Sequence, residues 1–228
     1  MTIDRAAKDA LNEQFSRIGK ALSSPRRIEL LDLLAQGERP VESLAAASDM
    51  SVALVSAHLQ ALRAARLVEA RRDGQRVRYR LAGDDVHQLL TALRAVARER
   101  LAEVEVAVRT YLGAPDEFEP VTREELWARA RAGNLAILDL RPREEYLAGH
   151  IPGALSAPLP ELVELLARLP RDAEVVAYCR GPYCVLAPQG IAVLRLHGHA
   201  ARRLADGFPE WRLAGLPVEV GPAAGTLA

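Results

Sequence analysis

Only two residues of this 228-residue chain carry a thiol, and just four residues separate them. They stand in the stretch Val175-Val176-Ala177-Tyr178-Cys179-Arg180-Gly181-Pro182-Tyr183-Cys184. An apolar run of strand type stops at Cys179. A turn with Gly and Pro follows, and an apolar-periodic helix is expected from Cys184 to His197. A thiol at a strand end therefore faces a helix start, where unpaired backbone N–H groups favour negative charge. Cys179 is expected to be a thiolate, the reactive form of the residue. With no other cysteine in the chain, the pair reads as reactive or redox-active rather than as a structural staple.

The composition bounds what can surround this pair. The chain is long enough for two small domains, and half of it is hydrophobic by type, so cores are available. Formal net charge is zero, but the charge is uneven. Residues 63–80 hold seven Arg against Glu69 and Asp73, a local +5. Residues 1–112 hold 18 basic and 15 acidic groups, and residues 113–228 hold 12 and 15. Basic charge gathers in one part of one half, which fits a nucleic-acid partner for that half. No apolar run reaches the roughly 18 residues that would span a membrane. The start, Met-Thr-Ile-Asp-Arg, lacks an apolar leader, so a cytoplasmic protein is expected.

The elements that must position these groups follow from periodicity. Residues 4–21 read as a helix. Ser24 and Pro25 open another, with Ile28, Leu30, Leu31, Leu33 and Leu34 as its stripe and Gly37 as its stop. Pro40–Ala47 and Val52–Ala65 form two helices about a turn at Asp49-Met50-Ser51, a helix-turn-helix with Val55, Leu59 and Leu62 inside. Alternation on either side of Asp73-Gly74 makes a hairpin, or wing. Residues 85–112 read as one long helix whose apolar face needs a partner, most simply a second copy. Residues 113–120, with Gly, two Pro and three acids, read as a linker. Beyond it helices at 124–131, 161–169, 184–197 and 209–214 alternate with strands at 135–140, 174–178 and 201–204. That pattern predicts an α/β domain with a mostly parallel sheet, whose ligands bind beyond the strand ends.

The run Ser51-Val-Ala-Leu-Val-Ser56-Ala-His58-Leu59-Gln60-Ala-Leu62-Arg63, with Leu67-Val68 and the wing Arg72-Asp-Gly74-Gln-Arg76-Val-Arg78-Tyr79-Arg80, resembles the ArsR family of winged-helix repressors. The resemblance implies a homodimer on palindromic double-stranded operator DNA. It places Ser51, Ser56, His58 and Gln60 toward the major groove and Arg63 near phosphates. Arg72, Arg76 and Arg78 would act from the wing. These types suit the task, since Ser and Gln read base edges and Arg neutralises phosphate. Val52 departs from the family, which often has Gln there. Many relatives sense metals, but Pro40–Ala47 has no cysteine. Asp85-Val86-His87 begins a second known metal pattern that Arg98 and Leu101 do not complete, so no metal and no cofactor is expected.

Leu138-Asp139-Leu140-Arg141 with Tyr146-Leu-Ala-Gly-His150-Ile151-Pro152-Gly153-Ala154 resembles the first signature of rhodanese domains. Asp206-Gly207-Phe208-Pro209-Glu210-Trp211 resembles the closing one, and Cys179 falls where that family keeps its catalytic cysteine. The resemblance implies sulfane-sulfur transfer from a small donor such as thiosulfate or a polysulfide. Cys179 would carry the persulfide, Gly181, Pro182 and Tyr183 would form the sulfur-binding loop, and Arg180 would supply positive charge. The loop departs from the usual pattern, because Pro182 removes an N–H donor and Cys184 adds a thiol. That second thiol could attack a persulfide or sulfenic acid on Cys179 and close a disulfide. Val185 occupies the place of the distal Arg of related phosphatases and arsenate reductases, which argues against ester chemistry. His150 reads as a structural turn residue.

The sequence thus predicts a two-domain α+β chain. Residues 1–112 would be a winged helix-turn-helix that binds DNA and dimerises, 113–120 a linker, and 121–228 a rhodanese-like α/β domain. The expected function is a transcriptional regulator, a repressor that senses reactive sulfur or redox state through Cys179 and Cys184. The alternative is a rhodanese-type sulfurtransferase tethered to a DNA-binding domain.

Overall fold

Residues 4–113, 120–132, 135–167, 169 and 173–222 are described in a computed structural model. The chain falls into two compact units, Met1–Arg94 and Ala95–Ala228.

The first unit opens with α1 (Arg5–Leu22) and α2 (Pro25–Ala35), the latter with Pro in its first turn. A two-residue strand β1 (Arg39–Pro40) leads into α3 (Val41–Ser48), which ends at Asp49 in the left-handed region, φ 50°. Ser51 then caps α4 (Val52–Ala64), its Oγ accepting from the Leu54 N–H at 3.3 Å. Strands β2 (Val68–Asp73) and β3 (Arg76–Leu81) pair antiparallel about Gly74, whose φ of 61° the tight turn requires. The order is β1-β3-β2, so the expected hairpin carries a third short strand. Pro40 is tolerated there because β1 is an edge. Leu30, Leu31 and Leu34 of α2 meet Leu44, Val55, Leu59 and Leu62 in the buried core, closed by Leu90.

Leu90 belongs to α5 (Asp84–Arg100), and α6 (Ala102–Leu112) follows it. The single helix expected over 85–112 is thus two. Leu101 is extended, φ −116° and ψ 102°, while its N–H still donates to Ala97 at 2.9 Å. The break spans one residue without Pro or Gly, so helical spacing continues on both sides and periodicity cannot reveal it.

The second unit continues with α7 (Arg123–Ala130), β4 (Leu135–Asp139), α8 (Arg143–Ala148) and β5 (Leu155–Ser156). A 3-10 turn at Leu159–Glu161 precedes α9 (Leu162–Leu166). Then come β6 (Glu174–Tyr178), α10 (Leu186–Leu196), β7 (Ala201–Arg203) and α11 (Phe208–Leu213). The sheet is β5-β4-β6-β7, parallel throughout. Both faces are covered, as parallel sheets require. Val175, Ala177 and Cys179 alternate onto the side of Leu162, Ile191 and Leu194. Val176 and Tyr178 face Leu126, Phe208 and Trp211. That alternation delivers Cys179 to the α10 side at the carboxyl end of the central strand β6. The linker expected at 113–120 lies largely outside the described residues.

Candidate functional site

The loop after β6 is a tight turn. Cys184 N–H donates to Gly181 O at 3.1 Å, with Pro182 and Tyr183 between them. Pro182 thus sits at the second turn position, where its fixed φ costs nothing. Helix α10 begins at Leu186, two residues later than its periodicity suggests, and this leaves Cys184 in the loop facing the helix start. The N–H of Ala187 reaches the Cys179 sulfur, and those of Leu186 and Arg180 reach the Cys184 sulfur. Both cysteines are free thiols and lie within hydrogen-bonding reach of each other.

Their electrostatics differ. Cys179 is 2% exposed, and its thiol approaches Gly181 O at 3.8 Å and Cys184 O at 3.7 Å. Burial, then the neighbouring sulfur, push the Cys179 thiol well above the usual range. The Cys179 thiol, the backbone N–H groups and Arg180 pull Cys184 down to about 6. The first proton of the pair therefore leaves easily, with the charge on Cys184, and the second is held. The expectation of a thiolate at Cys179 is corrected: burial and the neighbouring Cys184 sulfur raise this thiol, and they outweigh the Gly181 and Ala187 N–H groups that reach it.

Arg180 is also engaged. Its Nε donates to both carboxylate oxygens of Glu145 at 2.9 and 3.0 Å, and Nη2 adds a third contact. The Glu145 side chain is fully buried in α8. Arg180 thus fastens the thiol loop to α8, with its charge shared between Glu145 and the sulfurs. Beneath lies a second buried ion pair. Arg141 bonds Asp139 through Nε at 2.9 Å and Gly149 O at 2.7 Å, and stacks 4.2 Å from the Phe208 ring. Tyr178 O–H donates to Asp139 at 2.7 Å and accepts from Ile151 N–H. The closing turn presses on the loop from the other side, with Phe208 N–H on Cys179 O at 3.1 Å. A Cβ on Gly207 would stand 2.3 Å from Gly181 N, so only glycine fits.

In the first unit, Ser51, Gln60 and Arg63 are exposed, Ser56 and His58 are half-buried, and Val55, Leu59 and Leu62 face the core. The Gln60 amide donates to Tyr79 O–H at 3.3 Å, tying α4 to the wing. Arg71 pairs with Glu38, and Arg78 donates to Glu38 O at 3.0 Å. Among the described residues Arg63, Arg66, Arg72 and Arg76 make no ion pair, which leaves their charge for a partner.

The comparisons agree with both units. Residues 24–70 match the bacterial regulatory protein, arsR family, and residues 122–214 match the rhodanese-like domain. The HTH-type transcriptional regulator Rv0324 of Mycobacterium tuberculosis is 51% identical over 218 residues, covering 96% of each chain. The chain belongs to the ArsR family of HTH-type transcriptional regulators. The biofilm growth-associated repressor of Agrobacterium fabrum is 40% identical over 77 residues, 34% of this chain and 66% of its own. A homodimeric winged helix-turn-helix DNA-binding domain from Mycobacterium bovis is 50% identical with a TM-score of 0.41, covering 45% of this chain and 94% of its own.

In this ArsR-family regulator the structure brings together Cys179, Arg180, Gly181, Pro182, Tyr183 and Cys184, and separately sets Ser51, Ser56, His58, Gln60 and Arg63 along α4. Ser51 Oγ caps α4, as its place after the Asp49-Met50 turn suggests. Arg78 contacts Glu38 and Asp73, while among the described residues Arg72 and Arg76 of the wing make no ion pair. His150 is structural as read: it is buried, stacks on Tyr146 at 3.8 Å, and its backbone bridges Glu219. Its Nε2 lies 3.4 Å from Glu219 Oε2 without hydrogen-bond alignment. Sequence reasoning missed Glu145 as the partner of Arg180 and Leu54 as an exposed apolar residue on α4. Only the position of Leu54 off the 55/59/62 stripe could have signalled the latter. Among the described residues no helix is long and apolar enough to cross a membrane.

Proposed function

We propose that this regulator is a homodimeric repressor of double-stranded operator DNA, released or tightened when reactive sulfur or an oxidant modifies the Cys179–Cys184 pair. The observation that carries the reading is the placement of both thiols in one loop within hydrogen-bonding reach of each other, so that the Cys179 thiol, with the Arg180 and Leu186 N–H groups, lowers Cys184. Residues 1–112 would bind DNA and dimerise, and residues 121–228 would carry the sensor, joined by 113–120. Helix α4 would enter the major groove with Ser56, His58, Gln60 and Arg63 toward it, and Arg72 and Arg76 would meet phosphates. Dimerisation is supported by exposed apolar residues at helical spacing, Leu11 and Phe15 on α1 and Leu89, Leu93 and Val96 on α5. Free thiols suit a reducing cytoplasm.

The test is operator binding by the reduced protein before and after a polysulfide, at fixed salt, with Cys179→Ser and Cys184→Ser alongside. A shift in wild type that a reductant reverses and both variants lack supports the reading. The tethered sulfurtransferase is a weaker second reading. Pro182 lacks an N–H, and Arg180 shares its charge with Glu145, so an anionic donor such as thiosulfate meets a poor site. Thiocyanate formation from thiosulfate and cyanide at an enzymatic rate would restore it.

A further inference from the structure

The two sulfurs of the pair have different surroundings. Cys179 packs in the core among Leu138, Leu140 and Ile191, 2% exposed, with its S–H toward two loop carbonyls. Cys184 is half-buried beside the exposed Pro182; N–H groups reach both sulfurs, those of Gly181 and Ala187 at Cys179 and those of Arg180 and Leu186 at Cys184, so burial is what separates them. We propose that Cys184 is the sulfur that meets the incoming donor, and that Cys179, at the position usual for the nucleophile of the fold, is the resolving thiol. This rests on the reading of the pair as a reactive-sulfur input. The lowered ionisation of Cys184 agrees with it.

The chemistry balances with an organic persulfide, RS–SH, as donor. The Cys184 thiolate attacks the outer sulfur, the RS–S bond breaks, and RS⁻ leaves. Cys184 then carries –S–SH. The Cys179 thiol attacks the Cys184 sulfur, a Cys179–Cys184 bond forms, and the terminal sulfur leaves as HS⁻, taking up the Cys179 proton as H₂S. The pair is oxidised by two electrons and the sulfane sulfur is reduced to sulfide. The groups around the loop suit such a donor better than a dianion. Arg180 is paired with Glu145, and the Glu210 carboxylate lies near Gly181.

The experiment treats the reduced full-length chain, Cys179→Ser and Cys184→Ser with cysteine persulfide and locates added sulfur by mass. Wild type is expected to close the disulfide and release sulfide. Cys179→Ser is expected to retain one added sulfur on Cys184. Cys184→Ser is expected to react at least about ten-fold more slowly, since a buried protonated thiol is the poorer nucleophile at neutral pH. Cys184→Ser reacting at the wild-type rate would overturn the assignment. A time course of iodoacetamide labelling on wild type guards against misfolded variants. First labelling at Cys184 supports the proposal and first labelling at Cys179 overturns it. Neither readout uses DNA, so an operator affinity that ignores a modified Cys184 defeats the sensing reading alone.

Discussion

Replacing Arg180 should damage the molecule more than replacing Glu145, although the two form one ion pair. The Glu145 side chain is 0% exposed and that of Arg180 is 27% exposed. Arg180→Met leaves a buried carboxylate without its guanidinium, a change that costs about 3–5 kcal/mol. Glu145→Gln leaves a guanidinium with an edge in water and an amide oxygen to bond, so the loss is about 1–2 kcal/mol. The double variant removes both charges and should be more stable than Arg180→Met by about 2 kcal/mol. Urea unfolding followed by tryptophan fluorescence is the assay, since both tryptophans, Trp127 and Trp211, lie in this unit. Equal losses from the two single variants, or strictly additive losses in the double, would refute the reasoning.

The lowered Cys184 predicts that iodoacetamide labelling at this residue rises with pH about a midpoint near 6, with Cys179, Arg180, Glu145, Glu210 and Tyr183 as the neighbouring groups; a midpoint in the ordinary thiol range, about 8.5, contradicts the geometry. Gly207→Ala should force the thiol loop away from the closing turn, costing about 1–3 kcal/mol in urea unfolding and raising that midpoint. Arg76→Ala and Arg72→Ala should each weaken operator binding evenly across sequences and reduce the slope of log affinity against log salt by about 1. Unchanged slopes would place these arginines off the DNA.

Local pattern revealed the parts of this fold that local chemistry builds. The 55/59/62 stripe marked α4, Asp73-Gly74 fixed the wing register, and the Val175–Tyr178 run ended where the sheet delivers Cys179. What escaped depends on distant residues or on very short elements. Glu145 meets Arg180 across 35 positions, and its six-residue helix α8 is too short for periodicity to show. Strand β5 has two residues, and its place beside β4 is set by the sheet. The charge on the thiol pair was assigned to Cys179 from its place at the strand end. The sequence pattern began α10 at Cys184, whereas the turn from Gly181 keeps this residue out of the helix and under its N–H groups.

The most direct test of the central claim is the operator affinity of the full-length protein, reduced and then persulfide-treated, at one salt concentration. The account predicts a change of about five-fold or more, the lower range of allosteric coupling, which dithiothreitol reverses and Cys184→Ser abolishes. An affinity that stays the same while mass confirms modification of the pair would contradict it.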